Sequence, residues 1–288
     1  MDIKKFIAKP GEKISLKDYD TDFTNGKNKD EAIESLKENK KDLKELQDVF
    51  WADDRYSLLI VLQAPDAAGK DGVIKHVMSD INPQGCVVHS FKAPTKQELD
   101  HNYLWRHYIA LPTRGQIGIF NRSHYENVLV TKVHPEYIIG EKIPEIETVK
   151  DVNKDFWKKR YDQINDFEKE ISSNGTIILK FYLNLSKAEQ KKRFLERLDS
   201  PDKNWKFSSA DLKERAFWKD YQNAYEDMLS NTSTNYAPWH IIPADNKWFT
   251  RMAIGEIIVE KLKSLDLRYP KPENMEALQQ AKKQLEEE

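Results

Sequence analysis

The sequence predicts an α/β fold, a three-layer sandwich in which a central parallel sheet lies between two layers of helices. Two observations support this prediction. Five short apolar segments alternate with longer amphipathic ones, as in folds built from strand–helix–strand units. The first apolar segment, residues 58–62, is an unbroken aliphatic run, which suits a parallel strand covered on both faces.

The first half of the chain is predicted to begin with an extended arm over residues 1–28, because prolines and glycines interrupt it. An amphipathic helix over residues 30–50 follows. Thr95 and Glu98 have the spacing of a capping box, which predicts a helix start at residue 96. The other elements are predicted as strands at 56–63, 86–91 and 117–120 and helices at 70–79, 96–110 and 124–135.

The second half continues the alternation. Ser186 and Glu189 form another capping-box spacing, which predicts the start of a basic helix. The elements are predicted as helices at 151–172, 187–198, 211–229 and 249–264, strands at 176–185 and 240–242, and a mobile segment at 199–210. We therefore expect a single domain over residues 1–288, comprising an N-terminal arm and helix (1–55), a core (56–185 and 231–268), a lid (186–230) and a C-terminal polar helix (269–288).

Composition excludes several classes of protein. The 46 Lys and Arg residues nearly balance the 48 Asp and Glu residues, which argues against a protein that coats nucleic acid or anionic lipid. The longest aliphatic run is far shorter than the ~20 residues of a membrane span, and the N-terminus has no apolar signal core. A single cysteine excludes an internal disulfide and a cysteine-cluster metal site. We expect a cytoplasmic protein with neither nucleic acid nor membrane as a partner.

The segment LLIVLQAPDAAGKDG, residues 58–72, indicates a phosphate loop. A buried strand leads through Ala67 and Ala68 to Gly69-Lys70 at a helix start, where backbone N–H groups and the helix dipole favour an anion. Lys70 would reach the phosphates as a point charge. The strict pattern G-x-x-x-x-G-K-[ST] is not met, because Ala64 and Asp71 replace the first glycine and the final hydroxyl residue. A helix start that binds no ligand is the alternative.

Asp66 strengthens the interpretation as a ligand site. A carboxylate inside a phosphate-binding loop would repel phosphate unless a divalent cation lay between them, so Asp66 is predicted to bind Mg²⁺. Asp71 could contact the bound phosphates, or it could be an ordinary acidic residue in the first turn of a helix.

Polar residues also follow the third predicted strand, in QIGIFNRSHYENVLV. Asn121 occupies the place where phosphate-loop enzymes usually carry a magnesium-linked Asp, and it offers a carbonyl oxygen without charge. Arg122 suits a phosphate clamp, or it could form a surface ion pair. Glu126 could be an ordinary helix-start acid, a second candidate metal ligand or a contact to an acceptor nucleotide.

The predicted lid is basic. Residues 187–219 hold ten Lys and Arg against six Asp and Glu, a local +4. Arg193 and Arg197 are four residues apart and so share one helical face, and Lys203 and Lys206 follow in the predicted mobile segment. A helix with a solvated basic face is the alternative to a lid that brings arginines over a transferring phosphoryl group.

Together these residues resemble the polyphosphate kinase 2 family. The matching segments are ISLKDYD (14–20), DAAGKDGVIKHV (66–77), NPQG (82–85), FNRSHYENVLV (120–130), KKRFLERLDSPDKNWKFS (191–208) and WKDYQNAYEDML (218–229). The resemblance implies a thymidylate-kinase-like phosphate-loop fold and direct phosphoryl transfer between inorganic polyphosphate and nucleotides with Mg²⁺, for which Mn²⁺ can substitute. It further implies a homo-oligomer, a dimer or tetramer.

Carried over position by position, the resemblance places Asp66 and Lys70 on the family's first motif. It places Asn121 and Arg122 on the second motif, where many members have Asp in place of Asn121. The lid cations fall on residues 193, 197, 203 and 206. The second motif followed by Glu126 is similar to the branch that accepts both AMP and ADP, interconverting them with ADP and ATP.

Two other functions are compatible with these residues. One is an ATP-dependent nucleotide or small-molecule kinase on the same fold. The other is a non-catalytic regulator that binds nucleotide or polyphosphate. Phosphorylation of AMP by polyphosphate without ATP would distinguish the predicted enzyme from both.

Overall fold

A parallel sheet forms the centre of the protein. The computed structural model describes residues 1–202, 204–206 and 208–288. Within these residues the strands are β1 (Ser57–Gln63), β2 (Cys86–Ser90), β3 (Ile117–Asn121), β4 (Thr176–Asn184) and β5 (Trp239–Pro243). They run parallel in the order β2-β3-β1-β4-β5, so the first strand in the chain is the central one. All five predicted strands are confirmed.

Helices cover both faces of this sheet. They are α1 (Lys29–Asp53), α2 (Lys70–Val77), α3 (Lys96–Leu99), α4 (Trp105–Tyr108), α5 (Glu126–Val133), α6 (Glu136–Ile139), α7 (Lys154–Ser173), α8 (Lys187–Asp199), α9 (Ser209–Ala216), α10 (Trp218–Thr232), α11 (Lys247–Lys263) and α12 (Met275–Glu287). None of the described helices combines the length and the apolar content that a membrane span needs.

The side chains of β1 alternate between two separate cores. Leu58, Ile60 and Leu62 pack with α1, α2 and α11 on one face of the sheet. Leu59 and Val61 pack with α5, α7 and α10 on the other. Because successive side chains of a strand point to opposite faces, an unbroken aliphatic strand serves both cores at once. The predicted three-layer α/β fold is confirmed.

The predicted helix over residues 96–110 is wrong, because the structure divides it into α3 and α4. The Thr95–Glu98 capping box is present and starts α3 as predicted. After it, the Asn102 side chain accepts a hydrogen bond from the backbone N–H of Leu104, at 2.9 Å. This local bond competes with helical hydrogen bonding and separates the two turns. Likewise, Ser123 Oγ accepts from Tyr125 N, and α5 starts at Glu126, two residues later than predicted.

The N-terminal arm crosses the edge of the sheet. Ala8 N donates to Trp239 O at 2.9 Å, and Ile7 pairs with His240 in an antiparallel bridge. Farther along, Leu16 N donates to the Glu226 carboxylate on α10. The arm therefore packs against both β5 and the helical layer.

Helix α10 belongs to the core layer. Most of its residues fall in the predicted lid, yet Ala224, Tyr225, Met228 and Leu229 lie buried against α5 and α7. The rest of the predicted lid comprises α8, the turn Asn204–Lys206 and α9.

Candidate functional site

The predicted phosphate loop joins β1 to α2. Residues 64–69 leave the buried strand, and Gly69 caps α2 with φ at +109°, a conformation that favours glycine. Ala67 also adopts a left-handed φ of +62°, which costs of order 1–2 kcal/mol for a residue with a side chain. Lys70 Nζ folds back and donates to the Ala64 carbonyl at 3.0 Å. The strand therefore delivers a tightly wound loop and a helix start to the edge of the sheet.

The loop forms one wall of a cavity of about 710 Å³. The cavity brings together most of the predicted site residues: Asp66, Ala67, Ala68, Gly69, Lys70, Asp71, Asn121, Arg122, Arg193 and Arg197. Two further cations, not predicted from the sequence, line the same cavity: Lys92 after β2 and Lys247 at the start of α11. Among the described residues, six cationic and three acidic side chains line this cavity, which is named here the basic cavity and suits a polyanion.

Arg122 connects the loop to the second motif. Its Nη2 lies 3.0 Å from Asp66 Oδ1, and its Nη1 lies 3.8 Å from Glu126 Oε2. Its own φ is +62°, again left-handed. Next to it, Asn121 Nδ2 donates to Asp71 Oδ1 at 2.9 Å. Asp71 is therefore both an acidic residue in the first turn of α2 and a hydrogen-bond partner of the second motif. Two polar contacts thus join the end of β3 to the phosphate loop and to the first turn of α2.

Burial and charge tune the groups at this junction. Burial lowers the pKa of Lys70 from its ordinary value, and the neighbouring Arg122 adds to the effect. Burial raises the pKa of Glu126, although Arg122 and Lys70 oppose the shift. Burial also works to lower the pKa of Arg122, but Glu126 and Asp66 outweigh it and raise that pKa. An incoming phosphate would give Lys70 and Arg122 additional anionic partners.

The segment between Arg122 and Glu126 rests on a buried ionic network that the sequence analysis missed. Glu168 on α7 accepts from Tyr125 Oη at 2.6 Å, from His124 Nε2 at 3.1 Å and from Lys180 Nζ at 2.6 Å. Lys180 Nζ also donates to Tyr125 Oη and to the Thr232 carbonyl. Burial opposes ionisation of Glu168, but Lys180 and His124 outweigh it and keep its pKa low. The network fixes the backbone that carries Arg122 and Glu126.

The two predicted lid arginines differ in their surroundings. The side chain of Arg193 is only 3% exposed, and its guanidinium donates to five protein acceptors. The prediction that Arg193 and Arg197 share one basic helical face does not anticipate this difference in burial. Ser186 caps α8, but Glu189 accepts from Arg193 instead of completing the predicted capping box. Among the described residues, Arg197 Nη1 lies 3.4 Å from Asp211 Oδ2, and its guanidinium lies over the Phe194 ring at 5.5 Å from the ring centroid.

The structure does not describe the side chains of the other two predicted lid cations. Lys203, together with the side chain of Lys206, lies outside the part of the chain that the structure describes. Their contact with phosphate stays a prediction.

A second, mostly apolar cavity of about 470 Å³ adjoins the basic cavity. Its wall includes Phe91, Leu99, Tyr103 and Tyr137. Arg122 lines both cavities, as do Phe91 and Lys92. This apolar pocket, which the sequence analysis did not predict, can hold an aromatic ring while an attached anionic group faces Arg122.

The carboxylates of the site suit a cation that arrives with phosphate. Among the described residues, no group of three or more His, Cys, Asp or Glu side chains could hold a metal alone. Asp66 is a partly exposed carboxylate on the wall of the basic cavity, and Glu126 lies across Arg122 from it. Mg²⁺ characteristically binds through one or two protein carboxylates plus substrate phosphate oxygens, and this arrangement fits that pattern.

Comparison with known proteins agrees with the resemblance drawn from the sequence. The family model described as Polyphosphate kinase 2 matches residues 26–270. An ADP-polyphosphate phosphotransferase of Rhodopseudomonas palustris is 47% identical over 98% of each chain. An AMP/ADP-polyphosphate phosphotransferase of Meiothermus ruber is 42% identical over 94% of this chain and 97% of the relative. The crystal structure of polyphosphate kinase 2 from Arthrobacter aurescens TC1 superposes with a TM-score of 0.87 and 38% identity, over 98% of each chain.

Proposed function

Because the chain belongs to the polyphosphate kinase 2 family, we propose that it transfers phosphoryl groups reversibly between inorganic polyphosphate and AMP or ADP. One observation supports the assignment of polyphosphate to the basic cavity and of the nucleoside to the apolar pocket. Arg122 lies on the shared wall of the basic cavity and the apolar pocket. Polyphosphate fits the first and a nucleoside fits the second, so the reacting phosphates would meet at this arginine.

Positioning and charge neutralisation account for the catalysis. The acceptor oxygen is the terminal phosphate oxygen of the nucleotide, which is already ionised at neutral pH, so no strong general base is needed. Lys70, Arg122 and Arg197 would hold the oxygens of the donor and acceptor in line while charge spreads over the transferred group. In the substrate-free protein these cations are partly neutralised by Asp66, Glu126 and Asp211, which phosphate oxygens would displace.

We assign Mg²⁺ to Asp66, with Glu126 as a second candidate ligand. The ion would neutralise phosphate charge and screen the Asp66 carboxylate from the polyphosphate. To accept the ion, Asp66 would exchange its present contact with Arg122, which frees that guanidinium for phosphate.

Replacement of Asp66 by Asn should weaken the use of Mg²⁺. Asn keeps the size of the side chain but removes the charge that attracts the cation, so the Mg²⁺ concentration for half-maximal rate should rise about tenfold or more. Initial rates measured across a Mg²⁺ titration test this, with Asp80→Asn as the matched control on an exposed surface. An unchanged titration for the Asp66 variant would remove the proposed ligand.

The substrates are tested directly by incubation of the protein with polyphosphate and Mg²⁺, without ATP, and with AMP or ADP supplied separately. We expect ADP from AMP and ATP from ADP, resolved by chromatography. An ATP-dependent kinase makes neither product, and a regulator binds without converting. ATP from ADP with no product from AMP would contradict acceptance of both nucleotides.

A further inference from the structure

We propose that Arg193 is a positioning residue that fastens the phosphate loop to α8 and to the β5–α11 turn, and that it does not contact the transferred phosphoryl group. The assignment of the loop as the polyphosphate site rests on the proposed function above. The assignment of Arg193 rests on its own hydrogen bonds.

Every donor of the Arg193 side chain has a partner within the protein. A guanidinium carries five N–H groups. Nε donates to Glu189 Oε1 at 2.9 Å. Nη1 donates to the carbonyls of Ala67 and Ala68, at 3.1 and 2.8 Å. Nη2 donates to the carbonyls of Ala244 and Asp245, at 2.6 and 3.0 Å. A phosphate oxygen could accept a hydrogen bond from Arg193 only by displacing one of these acceptors, which would then be buried without a hydrogen-bond partner.

Arg197 provides the contrast within the same helix. It lies one helical turn farther along α8, lines the same cavity and is 22% exposed. Within the part of the chain that the structure describes, its guanidinium donates one hydrogen bond, to Asp211 at 3.4 Å, whereas that of Arg193 donates five. Of this pair, Arg197 is the one placed to bind polyphosphate.

The contacts of Arg193 also explain the shape of the loop. The peptide group is planar and trans, so the N–H of Gly69 points opposite to the Ala68 carbonyl that faces Arg193. Because Arg193 holds the Ala68 carbonyl, the N–H of Gly69 is oriented away from the guanidinium. An anion-binding loop requires backbone N–H groups that are free to point at the anion. The same contact supports Ala67 in its left-handed conformation.

A second tie strengthens the first half of α8. Gln190 Nε2 donates to the Asp66 carbonyl at 3.0 Å, and Gln190 Oε1 accepts from Arg215 on α9 at 2.6 Å. Asp245 Oδ1 accepts from Ser186 N at the start of α8. The first half of α8 is thus hydrogen-bonded both to the loop and to the β5–α11 turn.

The test compares Arg193→Ala with Arg197→Ala in the substrate-free enzyme. Amide hydrogen exchange is measured for residues 64–72, with β1 as an internal reference for global stability. We expect exchange in the loop to rise about tenfold or more in Arg193→Ala, with β1 unchanged, because the bonds that hold the loop are lost. Arg197→Ala should leave the loop as in the wild type and should weaken polyphosphate binding in a calorimetric titration.

Two further readouts separate positioning from general stabilisation. Added guanidinium should restore both loop protection and kcat in Arg193→Ala, because it can refill the buried site. Arg193→Lys keeps the charge but cannot reach both pairs of carbonyls, so it should show the same loop exchange as Arg193→Ala. This variant serves if the alanine variant does not fold.

Wild-type loop exchange in both Arg193 variants would overturn the proposal, as would increased exchange throughout the chain. Failure of the wild-type protein to bind polyphosphate would instead contradict the proposed function. The exchange experiment uses no ligand, so the two failures are distinguishable.

Discussion

Lys70→Ala is expected to lower kcat for phosphoryl transfer by about 10²–10³-fold, equivalent to about 3–4 kcal/mol of transition-state stabilisation. The ammonium is held in the basic cavity by the Ala64 carbonyl and lies beside Arg122. Charge that develops on the transferred group would meet it without reorganisation of solvent. Steady-state kinetics with polyphosphate and ADP measure the loss.

The variant should fold normally, because burial already disfavours the charged form of Lys70 and its removal relieves that cost. Lys75→Ala, on the exposed face of the same helix, is the matched control and should keep its rate. Thermal unfolding should be unchanged in both variants. A kcat within a factor of about three of the wild type for Lys70→Ala would exclude the role assigned to it.

Lys180→Met is expected to destabilise the fold by about 3–5 kcal/mol. The substitution leaves the Glu168 carboxylate buried without its main countercharge, since both side chains are fully buried and their charged atoms lie 2.6 Å apart. Denaturant-induced unfolding measures the free energy. The double variant Lys180→Met/Glu168→Gln should recover part of the loss, because it removes the unpaired charge while an amide oxygen can still accept from Tyr125 and His124.

A loss of less than about 1 kcal/mol in the single variant would show that the pair is not the anchor inferred here. Lys169→Met, on the exposed side of α7 next to Glu168, is the matched control and should be nearly neutral. The functional counterpart is a lower kcat in Lys180→Met, because the network supports the segment that carries Arg122 and Glu126.

The layers and strands could be predicted because each depends on local sequence pattern. Alternation of apolar strands with amphipathic helices is sufficient to predict a parallel sheet, and polar residues at strand ends are sufficient to predict the phosphate loop and the second motif. Strand order could not be obtained this way, because pairing of β1 with both β3 and β4 depends on contacts between distant segments. The break between α3 and α4 was missed because an Asn side chain competed with the helix.

The missed site residues have different causes. Lys180 was detectable in principle, since a lysine in an otherwise apolar strand requires a buried partner, but nothing in the sequence identifies Glu168 as that partner. Helical spacing placed Arg193 and Arg197 on one face, yet spacing does not show which of the two turns toward the loop. The apolar pocket draws residues from several segments between β2 and α6, so only the folded chain reveals it.

The N-terminal arm has a consequence for solubility. An uncovered outer strand offers unpaired N–H and C=O groups to any other extended chain, which promotes aggregation. Two contacts of the arm occupy part of the hydrogen-bonding edge of β5: the bridge between Ile7 and His240 and the hydrogen bond from Ala8 N to Trp239 O. The arm therefore protects the outer edge of β5, the last strand of the sheet in chain order, and this edge stays open to other chains until the arm has docked.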